Sequence, residues 1–193
     1  DIYGIVMMDD GFDTYYVDLD DLYVEDGFAT VDLENKLFMF DGDDEAPQSW
    51  IFDGMGEYWY SGDGDEIDHL LTMEVDLTAP AQEEGAYLHW LNLSTYWNIE
   101  ANWDFGFVQV SVDGGLTWIS LNDTGNYCTE EVDIDVMPSI AANVPGLTGD
   151  SENITDLSFD LSAYDGQEIL GGFRYMTDWA STYDGWFIFG AAV

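Results

Sequence analysis

Basic side chains are almost absent from this chain. Its 193 residues include Lys36 and Arg174 against 41 acidic residues, a formal net charge of -39. No basic patch exists to displace counterions from phosphates, so nucleic acid is excluded as a partner. Anionic membrane surfaces are disfavoured for the same reason. Cysteine is nearly absent too: Cys128 stands alone, so no internal disulfide can form, and we read it as a small buried hydrophobe. No apolar run reaches the 18 residues that a membrane-spanning helix needs. No amphipathic period of 3.6 is sustained over ten residues, which argues against long surface helices.

Hydrophobic residues make up 47% of the chain and aromatic ones 16%. Disorder needs low hydrophobicity as well as high charge, so the composition predicts a folded, acid-coated domain. Such a coat repels itself and calls for cations. Molar salt, with a Debye length of about 3 Å, is one source; Ca²⁺ held by clustered carboxylates is the other. The chain begins at Asp1 rather than Met and ends in the apolar run Trp186–Val193, so we expect a processed product or an excised fragment.

Strand patterns recur with turn signals between them. Thr14–Leu19, Phe28–Leu33, Leu37–Phe40, Trp50–Phe52 and Glu57–Tyr60 come first. Met73, Val75 and Leu77 then alternate with acids, Tyr87–Leu93 is a more apolar run, and Leu157, Phe159 and Leu161 alternate again. Ile169–Tyr175 and Trp186–Phe189 complete the set. Val108, Val110 and Val112 alternate with Gln109 and Ser111, the period of a half-buried strand. Asp113-Gly114-Gly115 then supplies residues that accept positive φ, and Thr117–Ile119 starts a return strand. Short strands at this spacing predict an antiparallel β-sandwich or barrel. Asn122–Glu152 is the longest irregular stretch and is expected to leave the sandwich, with a short helical turn near Ser139–Asn143. Residues 1–36 read as a strand-like arm or the end of a preceding segment, and 37–193 as the sandwich.

Several constellations could carry chemistry. Asp63, Asp65, Glu66 and Asp68 sit in a glycine-containing stretch able to wrap a Ca²⁺ ion, although Ile67 and His69 do not fit an EF-hand. Asp41, Asp43, Asp44 and Glu45 form a second cluster. Glu100 and Asp104, four apart beside Trp97 and Trp103, have the residue types of a glycosidase acid/base pair; the stronger reading is that Asp104 caps the turn before the next strand. Trp97, Trp103, Trp179 and Trp186 could stack on sugar rings, with burial as the alternative for at least half of them. Arg174, on an otherwise apolar strand, requires a carboxylate partner. Asn92, Asn122 and Asn153 head N-glycosylation sequons.

Four segments together carry a family resemblance. They are Tyr60–Asp68 (YSGDGDEID), Tyr96–Trp118 (YWNIEANWDFGFVQVSVDGGLTW), Asp160–Gly166 (DLSAYDG) and Gly172–Tyr175 (GFRY). In order and spacing they resemble the accessory domain of immune-inhibitor-A-like secreted metallopeptidases, over roughly residues 37–189. The resemblance implies a MAM-like, jelly-roll β-sandwich, extracellular, non-catalytic and often calcium-bound. The HExxH motif of that family's separate catalytic domain is absent, since His69 and His89 are followed by Leu70-Leu71 and Trp90-Leu91. The family's last strand carries acids where this chain has Gly185-Trp186-Phe187-Ile188-Phe189-Gly190.

The expected function is therefore a non-catalytic accessory or adhesion module, secreted or at the cell surface, with bound Ca²⁺ and an adaptation to high salt. One alternative is a subunit of an extracellular filament or surface layer that assembles by strand exchange, since a jelly roll lacking a strand can accept one from a neighbour. The other is a carbohydrate-binding module. The partners expected are other protein domains, copies of itself, or glycans, with no nucleic acid and no membrane insertion.

Overall fold

The computed structural model describes residues 49–78 and 89–193, and the backbone of four strands near the N-terminus. The chain divides into two compact units, 1–45 and 46–193. In the first, β1 (Tyr3–Met7) pairs antiparallel with β2 (Thr14–Asp18), and β3 (Leu22–Glu25) with β4 (Phe28–Val31). The expected strand Leu37–Phe40, the cluster Asp41–Glu45, and Tyr87 and Leu88 lie outside the described residues.

The second unit is an antiparallel jelly-roll β-sandwich. Its strands are β5 (Ile51–Asp53), β6 (Tyr58–Tyr60), β7 (Asp68–Asp76), β8 (Trp90–Asn98), β9 (Phe105–Ser111), β10 (Ile119–Ser120), β11 (Thr155–Asp160), β12 (Glu168–Met176) and β13 (Gly185–Ala192). One sheet has the order β10-β9-β12-β7 and the other β11-β8-β13-β6-β5. From β7 onward the chain crosses repeatedly between the sheets, and the period-2 alternation of each strand sends one set of side chains inward. Val75, Val108, Val110, Phe173 and Tyr175 from the first sheet meet Leu91, Leu93, Trp97, Leu157, Phe159 and Ile188 from the second.

Trp186 lies at the centre of that interface and is fully buried. Its indole Nε1 donates to Thr95 Oγ1 at 2.6 Å, its ring meets Trp50 edge-on at 5.2 Å, and its backbone N–H donates to Ser61 Oγ at 2.9 Å. Its benzo ring covers Gly106 of the opposite sheet. A Cβ built there would stand 2.8 Å from Trp186 Cε3, so only glycine lets the sheets approach this closely.

The strand β9 corrects the expectation of a half-buried element: all seven of its residues are buried, Gln109 and Ser111 included, while Val112 is exposed. The reason is the stretch after β10. It packs back over the outer face of the first sheet, where Phe105, Phe107 and Met176 form a second core with Val136 and Ile140. Leu147 exchanges backbone hydrogen bonds with Gly106 at 2.8 and 2.9 Å. Within this cover lies the helical turn α1 (Pro138–Ala141), begun by a proline whose fixed φ suits that position. The Gln109 amide, sealed beneath, donates to Ser120 Oγ at 3.1 Å and Asn143 Oδ1 at 2.9 Å.

The hairpin expected at Asp113–Gly115 forms, with φ of 74° at Gly114 and 92° at Gly115, but its return strand is only β10. Asp113 organises the turn, accepting from Thr117 N–H at 2.9 Å, Thr117 Oγ1 at 2.6 Å and Ser111 Oγ at 2.7 Å. These donors hold its carboxyl down at about 2.

The Gly106–Trp186 contact yields a stability prediction. Gly106→Ala should force the sheets apart or displace the indole, at a cost of about 1–3 kcal/mol. Chemical denaturation followed by tryptophan fluorescence would read it; an unchanged midpoint would refute it.

Candidate functional site

At one end of the sandwich the β8–β9 turn faces the loop leaving β12. The turn closes through Asp104 N–H to Glu100 O at 3.0 Å, with Asn102 at φ 67°. This places Glu100 and Asp104 side by side. From the other loop, Asp178 N–H donates to Asp104 Oδ1 at 2.9 Å, and Asp178 Oδ1 accepts Ala180 N–H at 3.0 Å. The Asp104 side chain thus joins two loops, while its backbone N–H closes its own turn. Glu100, Asp104 and Asp178 each bring a carboxylate oxygen within 4.8 Å of the others, and Asp104 and Asp178 are only 2% and 3% exposed.

Three carboxylates this close cannot all stay charged without compensation. Burial, reinforced by the charges of Asp178 and Glu100, pushes Asp104 up to about 7 against the opposing bond from Asp178 N–H. Burial likewise raises Glu100. Among the described residues the sole guanidinium, Arg174, lies elsewhere, paired with Asp68. A cluster of oxygen ligands suits a hard cation such as Ca²⁺. Trp103 and Trp179 flank the cluster in edge-to-face contact at 6.0 Å, Trp179 being half-exposed. The other two tryptophans considered for sugar stacking, Trp97 and Trp186, are core residues.

The loop expected to hold Ca²⁺ is organised differently. Asp63, Asp65, Glu66 and Asp68 are all exposed. Asp68 is the first residue of β7, and both of its oxygens accept from Arg174, Nε at 2.5 Å and Nη2 at 2.6 Å. This supplies the carboxylate partner that Arg174 requires. The loop is stapled instead to the segment bearing Asp178: Glu66 N–H donates to Asp178 O at 2.6 Å, Ile67 N–H to Thr177 Oγ1 at 2.8 Å, and Thr177 Oγ1 to Gly64 O at 2.9 Å. It therefore buttresses the three-carboxylate cluster from behind.

Sequence reading singled out Glu100 and Asp104 but missed Asp178, which lies 74 positions from Asp104 and joins it only through the fold. The available signal was the paired dipeptides Trp103-Asp104 and Asp178-Trp179. His69 and His89 serve structure: His69 Nδ1 lies 2.8 Å from Ser61 O, and His89 Nδ1 is 2.7 Å from Asp165 Oδ1. Asn92, Asn122 and Asn153 are all exposed.

Two predictions follow from this geometry. Arg174→Leu should cost about 1 kcal/mol, the upper end for a part-exposed bidentate pair, and Asp68→Asn should cost a similar amount; equal melting temperatures in all three proteins would refute it. For Asp104, the folded state raises the pKa above its unfolded value and so favours the proton. Its contribution to stability is full below pH ~4 and is lost as pH rises through about 7. In chelator, stability should fall across that window by on the order of 2–4 kcal/mol, and Asp104→Asn should remove that part of the slope. An identical slope in the variant would exclude Asp104 as its source.

Comparison with known proteins supports the architecture. The family model described as "Immune inhibitor A-like, MAM domain" matches residues 48–193. The pre-pro-metalloprotease PrtV of Vibrio cholerae serotype O1, from two strains, is 27% identical over 137 residues, covering 69% of this chain and 12% of the relative. The chain thus spans about an eighth of the length of the curated relatives it matches. With a sandwich of this topology and a family match over three-quarters of its length, the chain belongs to the immune inhibitor A-like MAM domain family.

Proposed function

We propose that this chain is a non-catalytic accessory module of an extracellular protein related to metallopeptidases, and that a Ca²⁺ ion held by Glu100, Asp104 and Asp178 locks its two end loops together. The observation that carries this reading is the convergence of three carboxylates, two of them buried, with no cationic side chain beside them among the described residues. The accessory role is supported by the family match. The ion would supply the positive charge that the cluster lacks and clamp the β8–β9 turn to the β12–β13 loop. A metal that binds only the folded state stabilises it by mass action.

A non-catalytic role suits the cluster. A glycosidase pair needs carboxyl groups set apart across a cleft, at about 5–5.5 Å or 6.5–9.5 Å. Here a third acid enters the group, and the hydrogen bond from Asp178 N–H occupies Asp104. High salt remains the competing source of cations, because most of the 41 acids lie outside this cluster and need only screening.

The experiment is thermal unfolding after chelation, titrated separately with CaCl₂ and NaCl. Recovery of about 2–4 kcal/mol of stability at 100–1,000 times the dissociation constant is expected, and Asp104→Asn/Asp178→Asn should abolish it. Rescue by molar NaCl alone would overturn the calcium assignment in favour of a salt-adapted coat. Loss of rescue in Asp63→Asn/Asp65→Asn, with the Asp104 and Asp178 variant unaffected, would move the ion to the loop of Asp63, Asp65 and Glu66.

A further inference from the structure

The outer face of the five-stranded sheet carries a ladder of aromatic rings. Trp186 and Ile188 point into the core, so Phe187 and Phe189 project to the other side. Register brings Tyr60 and Tyr96 beside Phe187 on the two neighbouring strands. Tyr60 stacks on Phe187 with centroids 4.7 Å apart, Tyr58 meets Phe187 at 5.5 Å and Phe189 at 5.7 Å, and Tyr96 meets Phe187 at 5.7 Å. The five rings are half-buried by one another, and Ile51 at their edge is 41% exposed.

The rim of the ladder has a particular chemistry. Tyr58 Oη donates to Asp53 Oδ2 at 3.0 Å, and Tyr96 Oη donates to Asp184 Oδ2 at 3.1 Å. Asn98 Nδ2 donates to that same Asp184 oxygen at 3.0 Å. The Tyr58 and Tyr96 hydroxyl donors are thus spent on carboxylates. What faces outward is π-surface and acceptor oxygen. A phenol that donates to an anion also gains electron density in its ring, which strengthens the attraction of a cation to the ring face.

We propose that this face docks an arginine-bearing basic segment of another protein chain. A guanidinium carries five N–H donors and no acceptor. It stacks on aromatic faces while its edge meets carboxylates, so it uses both things the ladder offers. A neutral glycan needs donors as well as acceptors, and the Tyr58 and Tyr96 hydroxyls already donate to carboxylates. The net charge of -39 draws a basic partner in from a distance, and the rings then select where it lands. The inference rests on the accessory-module reading only in taking the chain to be a unit that binds others. Its test, run in saturating CaCl₂, can fail without touching the cation assignment.

The test is fluorescence anisotropy of labelled nona-arginine and nona-lysine peptides on the 193-residue chain in 0.15 M NaCl (roughly an 8 Å screening length). Tyr58→Leu/Tyr96→Leu leaves the net charge unchanged. It should weaken nona-arginine binding at least fivefold and nona-lysine binding less. Equal affinity of the parent and the variant for nona-arginine would mean general attraction to a polyanion and would overturn the proposal. So would cellohexaose binding that nona-arginine fails to displace. Ring-proton shifts in the unmutated protein give a second readout that does not depend on the variant folding. Peptide-induced shifts confined to Tyr58, Tyr60, Tyr96 and Phe187 support the docking face, and shifts spread over the whole surface refute it.

Discussion

A charge of one sign is the constraint on which this structure depends. With 41 carboxylates and two cationic side chains, ion pairing cannot neutralise the surface, so the chain turns to its own backbone. Asp53 accepts from Met55 and Gly56 N–H, Asp76 from Thr78, Asp150 from Glu152, and Asp160 from Ser162. Asp123, buried, collects Gly125, Tyr127 and Cys128 N–H. Each of these bonds turns a repelling charge into a turn-former, because a short side chain reaches the amide two to five residues on. The acid coat is therefore also the loop scaffold of the sandwich.

Two places escape this solution. At Arg174 the described part of the chain spends its one guanidinium on Asp68, tying β12 to its neighbour β7, the last strand of the first sheet. At Glu100, Asp104 and Asp178 three carboxylates converge, and burial, reinforced by the neighbouring charges, raises Asp104 despite the backbone bond it accepts. That repulsion is local and buried, so bulk salt relieves it far less than it relieves the exposed coat. The two remedies expected from the composition, molar salt and bound Ca²⁺, would thus act on different populations of acids.

The sheets divide the remaining work unequally. The first is covered on both faces, by the second sheet and by the irregular stretch after β10, which is why β9 is buried throughout. On the outer face of the second sheet, among the described residues, aromatic side chains stack on one another. Trp186 links the two arrangements, since its ring fills the gap over Gly106 while its neighbours Phe187 and Phe189 turn outward.

Much of this was legible in the residues. Alternation along β7 and β11, the Asp-Gly-Gly turn and the absence of any helical period pointed to an antiparallel sandwich or barrel, because a two-residue side-chain period over four to eight residues reads as strand, and the family resemblance chose the sandwich. The lone arginine's need for a carboxylate followed from electrostatics alone, and so did the need for cations. What tertiary structure decided was which residues share a space. Gln109 reads as a solvent-facing polar residue until a segment more than ten positions away covers it. The four acids of residues 63–68 read as one ligand set, but β7 begins at Asp68 and turns its carboxylate toward Arg174. Asp178 meets Asp104 only because β8, β9, β12 and β13 bring their loops to one end of the sandwich. Period and charge are properties of neighbours along the chain; convergence of distant carboxylates is a property of strand order, which no local pattern encodes.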